Sequence, residues 1–155
     1  MAKKQTVSVI SGMNGFIGTH LARYLYDKGH KVARIPRELL IDPIGLKRFM
    51  DEANPDYVFH LATAGNIYNE HPDDEIFVSN VFDPYNLLAT MRERKFKGFV
   101  NFSSSSVNLF PTIYSTTKLC GEKLAEVVAL KYNKPIVSVR PFTVYGVLDR
   151  KEHLI

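Results

Sequence analysis

The sequence predicts a doubly wound α/β fold, a parallel sheet carrying helices on its faces. Short apolar runs of strand length recur at residues 7–10, 32–35, 57–61, 99–102 and 136–139, and helix-like stretches separate most of them. Such crossovers return each strand parallel to the last. The 155 residues, 45% of them hydrophobic, can fill one core without a linker or an internal repeat, so residues 1–155 are expected to form a single domain.

The elements follow in order. After the first strand, Phe16, Ile17, Leu21, Tyr24 and Leu25 share one helical stripe, and Gly29 ends the helix. The second strand begins just beyond. Residues 39–41 are expected to form a rudimentary third strand, and a helix over 43–52 follows. Asn54-Pro55-Asp56 then punctuates entry to the strand at 57–61. Helices over 74–92 and 114–132 are expected to flank the strand at 99–102.

Bulk properties narrow the function. The single cysteine, Cys120, forms no internal disulfide; a reducing compartment follows, with Cys120 expected in the core. The five histidines, His20, His30, His60, His71 and His153, lack paired metal-ligand spacing, so no metal is expected. The amino terminus has neither a signal-peptide apolar region nor a membrane-spanning length, which predicts a cytoplasmic protein without a membrane partner. The net charge is +4, but the basic residues are scattered except in Arg92-Glu93-Arg94-Lys95-Phe96-Lys97. That run falls at a helix end, where solvated cations complement the dipole, so no nucleic-acid partner is expected. The basic excess suits an anionic, phosphate-bearing ligand instead.

Such a ligand has an obvious place. Ser11-Gly12-Met13-Asn14-Gly15-Phe16-Ile17-Gly18 follows a strand and opens an amphipathic helix. Backbone N–H groups and the positive helix end converge there on a pyrophosphate. Gly12 permits the sharp turn, Gly15 lets the phosphates approach, and Gly18 packs helix against strand. Asn14, Phe16 and Ile17 are candidate contacts of the same dinucleotide. At the end of the second strand, Arg37 stands where an acidic ribose contact is otherwise expected. A guanidinium there favours a 2′-phosphate, hence NADP over NAD, with NAD and a merely solvated arginine as the alternatives.

The reacting groups are Tyr114 and Lys118, which share a helix face at four-residue spacing. They follow the serine-rich strand end Ser103-Ser104-Ser105-Ser106 on the expected carboxyl edge of the sheet. Tyr114 can take a proton from an alcohol as hydride leaves carbon, or return it, while Lys118 lowers its pKa and holds ribose hydroxyls. Bringing a tyrosine from about 10 to about 7 requires roughly 4 kcal/mol of phenolate stabilisation. A serine hydroxyl would steady the substrate oxygen; the alternative for the serines is a turn capped by its own hydroxyls.

With these motifs the chain resembles the NAD-dependent epimerase/dehydratase family of the extended short-chain dehydrogenase/reductase superfamily. The resemblance runs through the glycine turn, Val58-Phe59-His60-Leu61-Ala62-Thr63-Ala64-Gly65, Asn80-Val81, Ser103 to Val107, Tyr114-Ser115-Thr116-Thr117-Lys118 and Arg140-Pro141-Phe142-Thr143-Val144-Tyr145-Gly146. It implies a Rossmann-like domain. It also implies that Leu61, Ala62 and Ala64 line the cofactor, that Asn80 buttresses the site, and that Ser104 is the catalytic hydroxyl, with Ser105 as fallback. Family members often pair as homodimers through helices corresponding to 74–92 and 114–132.

Departures shape the expectation. Ser105 and Ser106 occupy the positions where family dehydratases carry Asp-Glu, which favours an epimerase or keto-sugar reductase over a 4,6-dehydratase. Asn108 replaces a usual tyrosine, Thr143 a usual asparagine, and no acidic adenine contact stands near Leu39 or Leu40. The segment from Ser104 to Tyr114 is short, yet about ten residues can span ~30 Å, so the triad remains within reach. The smaller substrate-binding domain of the family is missing, so the chain is expected to be a fragment, or else a compact relative. The resulting expectation is an NAD(P)-dependent epimerase or keto-reductase acting on a nucleotide sugar. The rival is a non-catalytic NAD(P)-binding sensor or regulatory module.

Overall fold

In a computed structural model, residues 4–65, 71–109 and 111–149 are described. Five parallel strands, β1 (Val7–Ser11), β2 (Lys31–Ile35), β3 (Tyr57–His60), β4 (Gly98–Phe102) and β5 (Ile136–Val139), form one sheet in the order β2-β1-β3-β4-β5. The register aligns Val9 with Ala33 and Val58, and Val58 with Phe99. Alternate residues therefore build two cores. Val9, Val58 and Phe99 face α3 (Pro43–Ala53), α5 (Asp83–Met91) and α6 (Ile113–Tyr132) in the larger cluster. Ile10 and Val32 face α1 (Phe16–Asp27) in the smaller one.

The α1 stripe is rotated from its expected position. Gly18, Ala22 and Leu25 are buried, whereas Tyr24 is exposed beneath the Lys28 ammonium. The cause is Gly18, whose close approach to the glycine turn fixes the helix face. The expected third strand is absent as well: residues Arg37–Leu40 form a helical turn, α2. Pro36 caps it, Asp42 accepts from the Ile44 N–H to start α3, and Leu40 is buried in the larger core. Helix-start signals at Pro36 and Asp42 bracket these four residues and turn them into a helix, so β2 is a sheet edge.

The helix expected over 74–92 is interrupted. It runs as α4 (Asp73–Phe77), a wide π turn over Val78–Phe82, and α5. Pro84 explains the interruption, because it cannot donate to the carbonyl one turn earlier and its ring crowds that turn. Cys120 is exposed rather than in the core, since α6 buries Thr117, Lys118, Gly121 and Ala125 instead. Among the described residues no helix is long and apolar enough to cross a membrane, and no cluster of metal-ligating side chains occurs.

Candidate active site

Strand β1 has β2 on one side and β3 on the other, so the winding reverses there and a crevice opens at the carboxyl ends. A cleft of about 1040 Å³ occupies it. Gly12, Asn14, Gly15, Phe16, Ile17, Gly18, Arg37, Leu61, Ala62, Ser104, Tyr114 and Lys118 all line that one cleft. Ala64 and Asn80 stand behind the wall, both buried; Ser105 is not among the lining residues.

The glycine turn is shaped by close backbone approach. Gly12 has φ +70, and a Cβ there would lie 2.7 Å from the Ala62 nitrogen. At Gly18 a Cβ would fall 2.2 Å from the Gly12 carbonyl oxygen. Gly15 N donates to Gly12 O at 3.1 Å and closes the loop. Nothing larger than hydrogen fits at Gly12 or Gly18, because backbone of the turn and of the Leu61-Ala62 segment fills that space, and the packed turn lines the cleft at the start of α1. The turn therefore fits a pyrophosphate.

Beneath it lies a strut that sequence reasoning left unassigned. Ser11 Oγ, fully buried, accepts from the Ala62 N–H at 3.3 Å and sits 2.7 Å from His60 Nδ1. Burial, and then the Lys118 charge, hold His60 neutral with a pKa of about 3. The strut ties the glycine turn to the strand end carrying Ala62.

Tyr114 and Lys118 occupy the other end of the cleft, on the first turns of α6. Thr112 and Ser115 form a reciprocal cap that starts this helix. The Ser104 and Thr63 hydroxyls stand beside the Tyr114 phenol and favour its ionised form. Ser104 Oγ accepts from Ser106 N at 3.2 Å and from Ser106 Oγ at 2.8 Å. The short segment after Ser104 is thus a 3-10 turn that Ser104 caps. Thr63, another residue not foreseen, donates to Asn80 Oδ1 at 2.8 Å. Asn80 is held in turn by Ala64 N and O and by Thr117 Oγ1.

Lys118 is 6% exposed and donates to the Phe102 carbonyl. Burial pulls its ammonium down to about 8, so it stays largely charged at neutral pH. The expected depression of the Tyr114 pKa is not found. Burial is the largest influence and raises it above the ordinary value, and the Ser104 and Thr63 hydroxyls oppose this only in part. At rest the phenol is a neutral acid, because burial outweighs the neighbouring hydroxyls.

At the β2 end, Arg37 pairs with Glu75 at 2.6 Å. Asp83 also lines the cleft there, 2% exposed. Burial raises its carboxyl to about 6, against the pull of Arg37. The only sequence signal for Asp83 was an acidic residue before a proline inside an apolar helix. The basic run is engaged locally: Arg94 pairs with Asp51 at 2.8 Å and Lys97 with Asp56 at 3.0 Å. His153 lies outside the described residues.

Strand, glycine turn and helix at a topological switch point define a doubly wound protein of the Rossmann type. Residues 8–108 match the NAD-dependent epimerase/dehydratase family, and the chain belongs to that family. It is 30% identical to the uncharacterized UDP-glucose epimerase YtcB of Bacillus subtilis (strain 168), over 93% of this chain and 58% of that protein. It is 26% identical to a probable UDP-glucuronate 4-epimerase of Rhizobium meliloti (strain 1021), over 93% and 55%. The structure of a UDP-glucuronic acid 4-epimerase from Bacillus cereus in complex with NAD superposes with a TM-score of 0.78 at 25% identity, covering 94% of this chain and 59% of that one. A dTDP-4-dehydrorhamnose reductase from Bacillus anthracis in complex with NADP shares the fold, with a TM-score of 0.81 at 18% identity over 97% and 58%. The chain thus spans little more than half the length of these relatives.

Proposed function

We propose that residues 1–155 are the cofactor-binding domain of an NAD(P)-dependent epimerase or keto-reductase acting on a nucleotide sugar. The observation that carries this reading is the convergence, in one cleft, of the glycine turn with Tyr114, Ser104 and Lys118. The likeness to UDP-glucose and UDP-glucuronate epimerases supports a uridine-diphosphate sugar as substrate. Gly12, Gly15 and Gly18 would hold the pyrophosphate, and Leu61 and Ala62 would flank it. A nicotinamide bound there supplies a carrier that accepts a hydride from a sugar carbon and returns it.

The residues of the chain then handle the proton. Tyr114 Oη takes it from the sugar hydroxyl or returns it, and Ser104 Oγ holds the sugar oxygen in line. Lys118, fixed by Phe102, offers its remaining donors to ribose hydroxyls and its charge to the developing phenolate. Because burial keeps Tyr114 protonated at rest, the base form depends on positive charge brought close to it.

Arg34 and Arg37 both line the β2 end and suit a 2′-phosphate, while Glu75 offsets the charge of Arg37. We read the preference as NADP, with NAD as the alternative. We also propose a homodimer through helices 74–92 and 114–132, which carry Phe82, Tyr85, Val127 and Leu130 to solvent.

The experiment is Tyr114→Phe, assayed for interconversion of UDP-sugars and for cofactor binding in parallel. The expected outcome is a loss of turnover of about 10²-fold or more with the cofactor still bound. Turnover unchanged by the substitution would remove the catalytic reading and leave a binding module.

A further inference from the structure

The cleft follows the carboxyl edge of the sheet. Tyr114, Ser104 and Lys118 lie beyond β4, the glycine turn beyond β1, and Arg34, Ile35, Arg37 and Leu40 beyond β2. With the reacting groups at one end and the phosphate turn between, the β2 end must take the other nucleoside of a dinucleotide. Its walls there are Ile35 and Leu40, 2% and 1% exposed. Such walls suit a flat heteroaromatic ring better than a hydrated sugar.

One polar group is out of place among them. Asp83 is the first residue of α5, which is clamped onto α2 where Asn86 Nδ2 donates to the Leu40 carbonyl at 2.8 Å. Asp83 is 2% exposed and lines both the main cleft and a smaller adjoining hollow. Its Oδ1 meets no hydrogen-bond donor among the described residues. Arg37, whose charge pulls on that carboxyl, is committed to Glu75. A buried carboxylate oxygen without a donor is costly, and it marks a place where a donor is missing.

We propose that the Asp83 carboxylate accepts a hydrogen bond from the exocyclic amine of the cofactor's adenine and so selects an adenine nucleotide at the β2 end of the cleft. The proposal rests on the dinucleotide reading given above. It assigns base selectivity to α5, on a helix distant in sequence from the glycine turn and from Arg37. The burial that raises the carboxyl pKa is consistent with a group awaiting a donor.

The test compares two ligands by fluorescence titration: NADH or NADPH, whichever binds tighter, and the same molecule with hypoxanthine in place of adenine. Hypoxanthine presents a carbonyl where adenine presents the amine. The wild-type chain should bind the adenine form about ten- to hundredfold tighter, the worth of a hydrogen bond to a charged group. Asp83→Asn should bring the ratio close to one, since an amide can donate as well as accept. Thermal unfolding of the same samples reports folding independently. Equal binding of both ligands by the wild type, or a preference that survives in Asp83→Asn, overturns the assignment while leaving the dinucleotide site intact. A variant that gains stability without a change in preference overturns it too, leaving a buried acid with no ligand. Binding of neither ligand by the wild type removes the dinucleotide reading, and this assignment with it.

Discussion

A tyrosine hydroxyl beside Ser104 and Thr63, and a buried lysine committed to a backbone carbonyl, are the two groups whose chemistry matters most. Their helical spacing and the serines before them were legible in the sequence, because spacing on a helix survives folding unchanged. Thr63 and Asp83 were not legible, because each gains its meaning from elements far away in sequence. Asp83 makes a prediction about stability. Its folded pKa of about 6 lies above the ordinary 3.8, so the folded state holds the proton more tightly. Stability is therefore full below pH ~4 and declines as pH rises through ~6, by at most roughly 3 kcal/mol. Asp83→Asn should raise the unfolding free energy at pH 7.5 and lose that advantage at pH 4, as followed by urea denaturation. The difference between variant and wild type isolates Asp83 from His60, whose depressed pKa costs stability as pH falls below ~6.5. An advantage independent of pH would contradict the burial of an ionised Asp83.

Among the elements, the glycine turn and the π turn impose the tightest geometry. At Gly121 a Cβ would lie 2.7 Å from the Asn80 carbonyl oxygen, so α6 rests directly on the π turn and the Thr117–Asn80 bond can form. Gly121→Ala should cost about 1–3 kcal/mol in urea denaturation by pushing the helices apart. Gly18→Ala should weaken dinucleotide binding about tenfold or more, because its Cβ displaces the Gly12 carbonyl and reshapes the turn. A titration curve matching wild type would show that the turn does not hold the ligand. The strand–turn–helix unit was legible because glycine spacing and apolar periodicity are local. The π turn was not, although Pro84 signalled it: a proline inside a helical pattern announces a disturbance without saying which widening or kink results. Residues 39–41 failed as a strand for a related reason, since three apolar residues cannot outweigh Pro36 and the Asp42 cap of the next helix.

At the scale of the whole molecule, the parallel, doubly wound sheet was legible from the alternation of strands and helices, whereas the order β2-β1-β3-β4-β5 was not. The sequence could not give coverage either. The described helices leave Val137 of β5 54% exposed, with α1 packed over the β1 and β2 side of that face. The helices over 74–92 and 114–132 carry Phe82 and Leu130 to solvent, 51% and 78% exposed. Sedimentation equilibrium should find a dimer that Phe82→Glu combined with Leu130→Glu converts to monomer; a wild-type monomer at tens of micromolar would contradict the proposed interface.

The central claim is that one cleft holds a nicotinamide dinucleotide with its reactive end beside Tyr114. The most direct measurement is titration of the purified chain with NADPH and NADH, following nicotinamide fluorescence. The account predicts saturable binding that is tighter for NADPH, is retained by Tyr114→Phe and is lost in Gly12→Val, whose side chain would meet the Ala62 backbone. No saturation with either dinucleotide, or binding unaffected by Gly12→Val, would contradict it.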